Sequence, residues 1–294
     1  MKSQIKVYLM NSLVDGDRGG NPAGIVLQAD ALSPMQKQEI AAKVGVSETA
    51  FLSASKTATY KLDFFTPSRQ IPHCGHATIA AFCLLSQKGL LKDGEYTKET
   101  IDGNRSILVS SGTASMEQKP PQYLLPQGKG VDFSIISHSL TIQTPVLWET
   151  YPPLGVHTGN QFLVIPIPNL EILRSIQPVQ AEIEQISEKL DCIGFYPFTQ
   201  ETNLPDRLAS TRMFAPRFGI PEESATGTAA GPLAGYLFDQ MKITTESYSI
   251  EQGWEMPKPS RSLIQINTIF EKNRISRIMV GGKAVIDQEL IVSY

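Results

Sequence analysis

The chain has 294 residues, 41% hydrophobic and 19% charged, with a formal net charge of -3. That length exceeds what one hydrophobic core usually serves, so two domains are expected. The composition is that of a soluble globular protein, and with no basic excess it gives no reason to expect nucleic acid.

No apolar run reaches the ~18 residues a membrane helix needs. The chain passes from Lys2 and Lys6 straight into Asp15, Asp17 and Arg18, which reads as a cytoplasmic protein whose partner is a small molecule. Residues 5 to 10 and 23 to 28 are predicted strands flanking a polar, Gly-rich loop from Val14 to Asn21. A helix follows, with Ser33 as N-cap, Pro34 at its first position, Gln36 completing a capping box and Gly45 as a left-handed stop. Glu48 lies just past that helix, where the chain enters a strand from Ala50 to Ser53. Tyr60 to Phe65 alternates as a further strand and turns at Thr66-Pro67. From Ala77 to Leu85 the chain is apolar almost all round, and a helix without a polar face has to be buried. Between Thr113 and Leu147, Pro120, Pro121 and Pro126 break regular elements and mark the join between domains. Beyond it, Val179, Ile183, Ile186 and Leu190 share one face of an amphipathic helix, and Ala229 to Phe238 is a second helix nearly free of charge. Leu263 to Ile269, Ile275 to Val280 and Lys283 to Ile286 are predicted strands, with Gly281-Gly282 as a hairpin turn. The domains are placed at 1–125, joined by the C-terminal strand near 275–294, and at 126–275.

The two domains read as copies. Phe65-Thr66-Pro67 with Ile71-Pro72 recurs as Phe214-Ala215-Pro216 with Ile220-Pro221, an offset of 149 (214 − 65). In the same order, Gly20-Asn21 recurs as Gly159-Asn160, Lys43-Val44 as Lys189-Leu190, and Gly75-His76-Ala77 as Gly227-Thr228-Ala229. The offsets drift only from 139 (159 − 20) to 152 (227 − 75). So long a period excludes a solenoid and suits two similar domains, each several strands wrapped around one internal helix. Only the first copy carries an acid at Ser47-Glu48-Thr49-Ala50-Phe51; the matching Cys192-Ile193-Gly194-Phe195 has none.

Both internal helices begin at a glycine, Gly75 and Gly227. A helix start leaves about four N–H groups unpaired and carries partial positive charge, so two such ends facing one cleft between domains would hold a carboxylate. Tight packing of strand on helix is the alternative reason for the glycines. In a closed apolar cleft Glu48 would lose hydration and its pKa would climb from about 4.3 toward neutrality, where it can accept and return a proton. An exposed glutamate at a strand start is the competing reading. His76 is a candidate to hold or relay that proton. His73-Cys74-Gly75-His76 has metal-ligand residue types, but no further cluster completes a tetrahedral zinc, so no metal is expected. Cys74, a thiol at a helix start, could act as a base, while its counterpart Thr226 cannot. The three cysteines show no paired spacing and give no disulfide framework. Glu222 and Glu223 precede the second helix, where acids contribute about 0.3–1 kcal/mol. The functional alternative is that one of them orients His76 or the substrate. Without a P-loop or GxGxxG pattern no nucleotide cofactor is implied.

The motifs Gly20-Asn21-Pro22-Ala23, Ser47 to Phe51, Phe65-Thr66-Pro67, Pro72 to Thr78, Arg212 to Pro216 with Gly219-Ile220, Ala225 to Leu233 and Glu251-Gln252-Gly253 span nearly the whole chain. Together they resemble the phenazine-biosynthesis PhzF-like proteins, relatives of diaminopimelate epimerase and proline racemase. The resemblance implies an α+β, diaminopimelate-epimerase-like fold: two pseudo-symmetric domains, each a mostly antiparallel barrel-like sheet around a central helix. It further implies a homodimeric, cofactor-independent isomerase acting between the domains. Glu48 would move the proton, with His76 and Glu223 as its partners and Asn21, Gly75, Gly227 and Thr228 on the substrate. Glu223 and Thr228 stand where the phenazine enzyme has an aspartate and a serine, and Met256 to Ser260 replaces a Gly-Arg pair common in relatives with Pro-Lys, so the phenazine substrate does not carry over. Two other readings follow: a two-base amino-acid epimerase using Cys74 and Glu48, or a small-molecule binder that kept the fold and lost catalysis.

Overall fold

The computed structural model describes residues 3–294, which divide into two compact units, 3–117 with 281–294, and Gln118–Val280. The segment 118–125 therefore counts with the second unit.

The first unit contains β1 (Gln4–Ser12), β2 (Asn21–Val26), α1 (Pro34–Val44), β3 (Glu48–Ser53), β4 (Tyr60–Phe65), the short β5 (Gln70–Ile71), α2 (Gly75–Gln87), β6 (Gly94–Thr100), β7 (Gly103–Ser110) and β8 (Thr113–Gln118). The second contains β9 (Gln122–Leu124), α3 (Phe133–Ser139), β10 (Leu154–His157), β11 (Gln161–Pro166), α4 (Leu170–Ser175), α5 (Gln180–Leu190), β12 (Phe195–Thr199), β13 (Ala209–Thr211), α6 (Gly227–Asp239), β14 (Ser247–Gln252) and β15 (Ser262–Glu271). The last strand, β16 (Arg274–Ser293), gives its early residues to the second unit and its later ones to the first.

In the first unit the strands close a barrel in the order β1-β2-β3-β4-β6-β7-β8-β16, with β16 pairing back onto β1 from Gln4↔Ser293 to Ser12↔Ala284. The pairs β2–β3 and β4–β6 are parallel, and these are the two steps that contain a helix, as parallel pairing requires a crossover. One crossover, α1, packs Ile40 and Ala41 outside the sheet against Val7, Val26, Phe51 and Phe65. The other, α2, is buried at every residue from Gly75 to Leu85, as its charge-free sequence demands. Burying each large side chain such as Phe82 or Leu84 is worth about 1.5–3 kcal/mol. The anticipated capping box closes α1: Ser33 Oγ accepts from Gln36 N at 3.3 Å, and Gln36 Oε1 accepts from Ser33 N at 2.9 Å.

The second unit repeats this plan. Its strands run β15-β14-β13-β12-β11-β10-β9, with β11–β12 and β13–β14 parallel. Helices α4 and α5 occupy the first parallel crossover and α6 the second, buried from Ala229 to Phe238. Ile183, Ile186 and Leu190 of α5 join Leu163, Ile165 and Phe195 in the core; Val179 is the half-buried N-cap.

Two sequence expectations are corrected. Gly281-Gly282 is not a hairpin turn but lies inside β16, and neither glycine has a positive φ. A Cβ on Gly281 would sit 2.0 Å from Ala114 O, so the residue is small because another backbone passes against it. The turn is at Lys272-Asn273, with φ of 48° and 60°, the paired left-handed conformation that joins twisted strands. The Pro-rich stretch from Thr113 to Leu147 also holds more structure than its composition indicates: β8, β9 and α3 lie within it, the prolines falling between them.

Candidate active site

Glu48 is the first residue of β3, and the parallel register sets Ala23 of β2 opposite it. The equivalent pair in the second unit is Leu163 and Phe195, and Phe195 is fully buried. No acidic residue occurs in β12, the strand that follows the first crossover of the second unit.

The Glu48 side chain is only 12% exposed, with Oε2 3.2 Å from Nε2 of His76, the second residue of α2. The same oxygen is closed off from solvent against the imidazole. On the other side of the ring, Asn21 Nδ2, from the first residue of β2, is 3.3 Å from His76 Nδ1. Cys74 Sγ lies 3.6 Å from Nδ1 and 3.9 Å from Nε2. Asn21, Glu48, Cys74, Gly75 and His76, all singled out from sequence, therefore meet at the start of α2.

Burial pushes the Glu48 carboxyl up, but the hydrogen bond and charge of His76, with help from Ser47, outweigh it and hold the pKa below the ordinary value. This reverses the expected climb toward neutrality. Burial also opposes the His76 imidazolium, yet Cys74 and Glu48 together hold His76 well above the usual imidazole range. Burial raises the Cys74 pKa, against the lowering pull of His76. The Glu48 and His76 directions agree on a pairing of an ionised Glu48 with a protonated His76.

His73 does not join this group. Its Nδ1 is 3.1 Å from Nζ of Lys98, a fully buried residue of β6 that sequence reasoning missed. Lys98 also donates to Thr78 Oγ1 at 2.7 Å, and Thr78 donates to Cys74 O at 2.6 Å, bracing the first turn of α2 from below. Burial drives the Lys98 pKa well below its normal value. The strand's period of two was the available signal: it places Lys98 on the same inward face as Thr100. With His73 removed and Glu48 added, the donor set that could hold a metal among the described residues is Glu48, Cys74 and His76.

The second unit gathers Glu223, Gly227 and Thr228 at the start of α6. Glu223 accepts a short hydrogen bond from Thr226 Oγ1, and Gln252 donates to Glu223 O at 2.8 Å while accepting from Thr226 N at 3.2 Å. Glu222 instead forms a bidentate pair with Arg212, at 2.8 and 2.9 Å, which fixes the approach to α6. Arg212 and Gln252 were visible as motif residues; these contacts give them their positions.

A family model of phenazine biosynthesis-like proteins matches residues 14–289. The chain belongs to this family. It is similar to YfhB of Bacillus subtilis, named an uncharacterized isomerase, with 31% identity over 93% of each chain. It also resembles the crystal structure of a Bacillus anthracis PhzF-family protein, with 28% identity over 99% of each chain and a TM-score of 0.87. A more distant hydroxyproline epimerase from Agrobacterium vitis, 11% identical with a TM-score of 0.61 over 100% of this chain and 94% of its own, shares the fold. The fold is diaminopimelate-epimerase-like, and this family member is an enzyme of the isomerase class. Among the described residues no helix is long and apolar enough to cross a membrane.

Proposed function

We propose that this protein is a cofactor-independent isomerase of a small carboxylic acid, in which Glu48 removes a proton from carbon and returns it. The observation that carries this reading is the Glu48 carboxylate, buried and paired with the His76 imidazole at 3.2 Å. A general base needs an available lone pair within reach of the proton and a neighbour that stabilises its ionised form. His76, held by Asn21, provides the second for Glu48. The start of α6, with Gly227 and Thr228, is proposed as a helix end suited to an anion, with Glu223 keeping that turn in shape.

The alternative two-base epimerase is less well supported. Two bases on opposite faces of one carbon, each within about 2.6–3.2 Å of the proton path, stand farther apart than the 4.8 Å that spans the donor atoms of Glu48, Cys74 and His76. Glu48 and Cys74 therefore address the same side of a substrate.

The test is incubation of metal-free protein with amino acids, hydroxy acids and unsaturated acids in heavy water, followed by mass spectrometry. A one-deuterium gain or a positional isomer in one class supports the reading. Activity that returns only on adding a metal or cofactor contradicts it. The resemblance also carries a homodimer into the proposal, which sedimentation of the purified chain tests.

A further inference from the structure

We infer that Glu48, Cys74 and His76 form a binding site for a thiophilic divalent cation of the zinc class, and that such an ion shuts off proton transfer by occupying the basic oxygen. The binding stands on the geometry alone; only its inhibitory consequence rests on the proposed function.

One donor atom from each residue lies within 4.8 Å of the others. Around a tetrahedral zinc, with bonds of about 2.0–2.3 Å, nitrogen and oxygen ligands are about 3.4 Å apart and sulfur is about 3.6 Å from either. Here Nε2 of His76 is 3.2 Å from Glu48 Oε2 and 3.9 Å from Cys74 Sγ, so modest side-chain rotations complete three vertices of the tetrahedron. Nε2 is taken as the ligating nitrogen because Glu48 Oε2 lies beside it, while Cys74 Sγ is within 3.9 Å of both ring nitrogens. That leaves Nδ1 to the Asn21 amide, 3.3 Å away, the outer partner that zinc-binding histidines generally have. The fourth vertex stays open, as in sites where a water or substrate group completes the shell.

Binding replaces protons with the ion: the thiol and the imidazolium each release one to solvent, and the carboxylate, thiolate, neutral imidazole and dication together carry no more net charge than the carboxylate, thiol and imidazolium they replace. The mixed sulfur, nitrogen and oxygen donors favour zinc or cobalt over magnesium or calcium, which take oxygen ligands. Neither Cys83 nor Cys192 belongs to such a cluster among the described residues.

The test titrates Co²⁺ into metal-free protein and follows the thiolate-to-cobalt absorption band in wild type and in Cys74→Ser, Cys83→Ser and Cys192→Ser. The expected result is one equivalent of cobalt, a band lost only in Cys74→Ser and displaced by Zn²⁺ but not by Mg²⁺. A wild type without the band, or a band that survives Cys74→Ser, overturns the inference. Alkylation of wild type covers a Cys74→Ser protein that does not fold: Zn²⁺ should slow modification of Cys74 at least tenfold, and no protection overturns the site. If Glu48-dependent deuterium exchange persists without metal binding, only this inference falls. If the band forms and no exchange is found, the catalytic reading falls instead.

Discussion

Removing the Glu222 carboxylate should destabilise the second unit severely, because Arg212 would be left charged in the interior. Arg212 is 6% exposed at its side chain and Glu222 11%. The guanidinium makes two bonds to Glu222, at 2.8 and 2.9 Å, and two to the carbonyls of Leu173 and Ile176, at 3.2 and 2.8 Å. Its carbon lies 4.9 Å from the centre of the Phe214 ring. In Glu222→Ala the carbonyls and the ring remain but the counter-charge is gone, and breaking such a buried pair costs about 3–5 kcal/mol. For a unit the size of Gln118–Val280, each kcal/mol shifts Tm by about 2–4 °C, giving a loss of about 6–20 °C. Urea and thermal unfolding, followed by the fluorescence of buried Trp148, measure it. Arg212→Met combined with Glu222→Met should lose less than the single change, since no charge is left unpaired. A single-variant loss below about 1 kcal/mol, the range of an exposed pair, would refute the reasoning.

Glu48→Gln should lower stability in a pH-dependent way. The raised His76 pKa contributes stability that is full below its unfolded value of 6.5 and lost as pH rises through the folded value; the lowered Glu48 pKa contributes stability that is full above 4.5 and lost as pH falls through its folded value. The deficit of the variant should therefore peak between about pH 4.5 and 6.5, and urea midpoints showing the same deficit at every pH would rule out the ion pair. Gly281→Ala should cost about 1–3 kcal/mol or more, because its Cβ would meet Ala114 O at 2.0 Å and Ser115 Cα at 2.4 Å. Gly128→Ala, with nothing within 4 Å, should stay within about 0.5 kcal/mol in the same unfolding assay, and equal losses at the two glycines would contradict the close-approach explanation. Lys98 binds fewer protons folded than unfolded between its depressed folded pKa and its ordinary value of 10.5, so wild-type stability should gain with pH across that interval relative to Lys98→Met. Parallel pH profiles for the two proteins would show that Lys98 is not held neutral.

Legibility followed periodicity and punctuation. The capping box of α1 and the charge-free run of α2 announced their elements because local chemistry alone specifies them. The duplication was readable for the same reason: Gly75 and Gly227 each open a buried helix in a parallel crossover of its own unit. Gly281-Gly282 misled because two adjacent glycines look alike whether the backbone turns or another chain segment passes close, and only the neighbour Ala114 distinguishes the cases. At the site, sequence picked Glu48 and His76 but misjudged the direction of the Glu48 pKa, since burial was legible and the distance to the imidazole was not. Lys98 was missed because lysine ordinarily lies at the surface; its burial depends on His73, Thr78 and the Phe64 ring arriving from other elements.

The central claim is that one carboxylate moves the proton. The direct measurement is the rate of deuterium uptake from heavy water into a turned-over substrate, compared between wild type and Glu48→Gln at matched ligand occupancy. Loss of the general base should slow exchange by about 10²–10⁴-fold with little change in binding, whereas exchange within a few-fold of wild type would show that Glu48 is not the group that takes the proton.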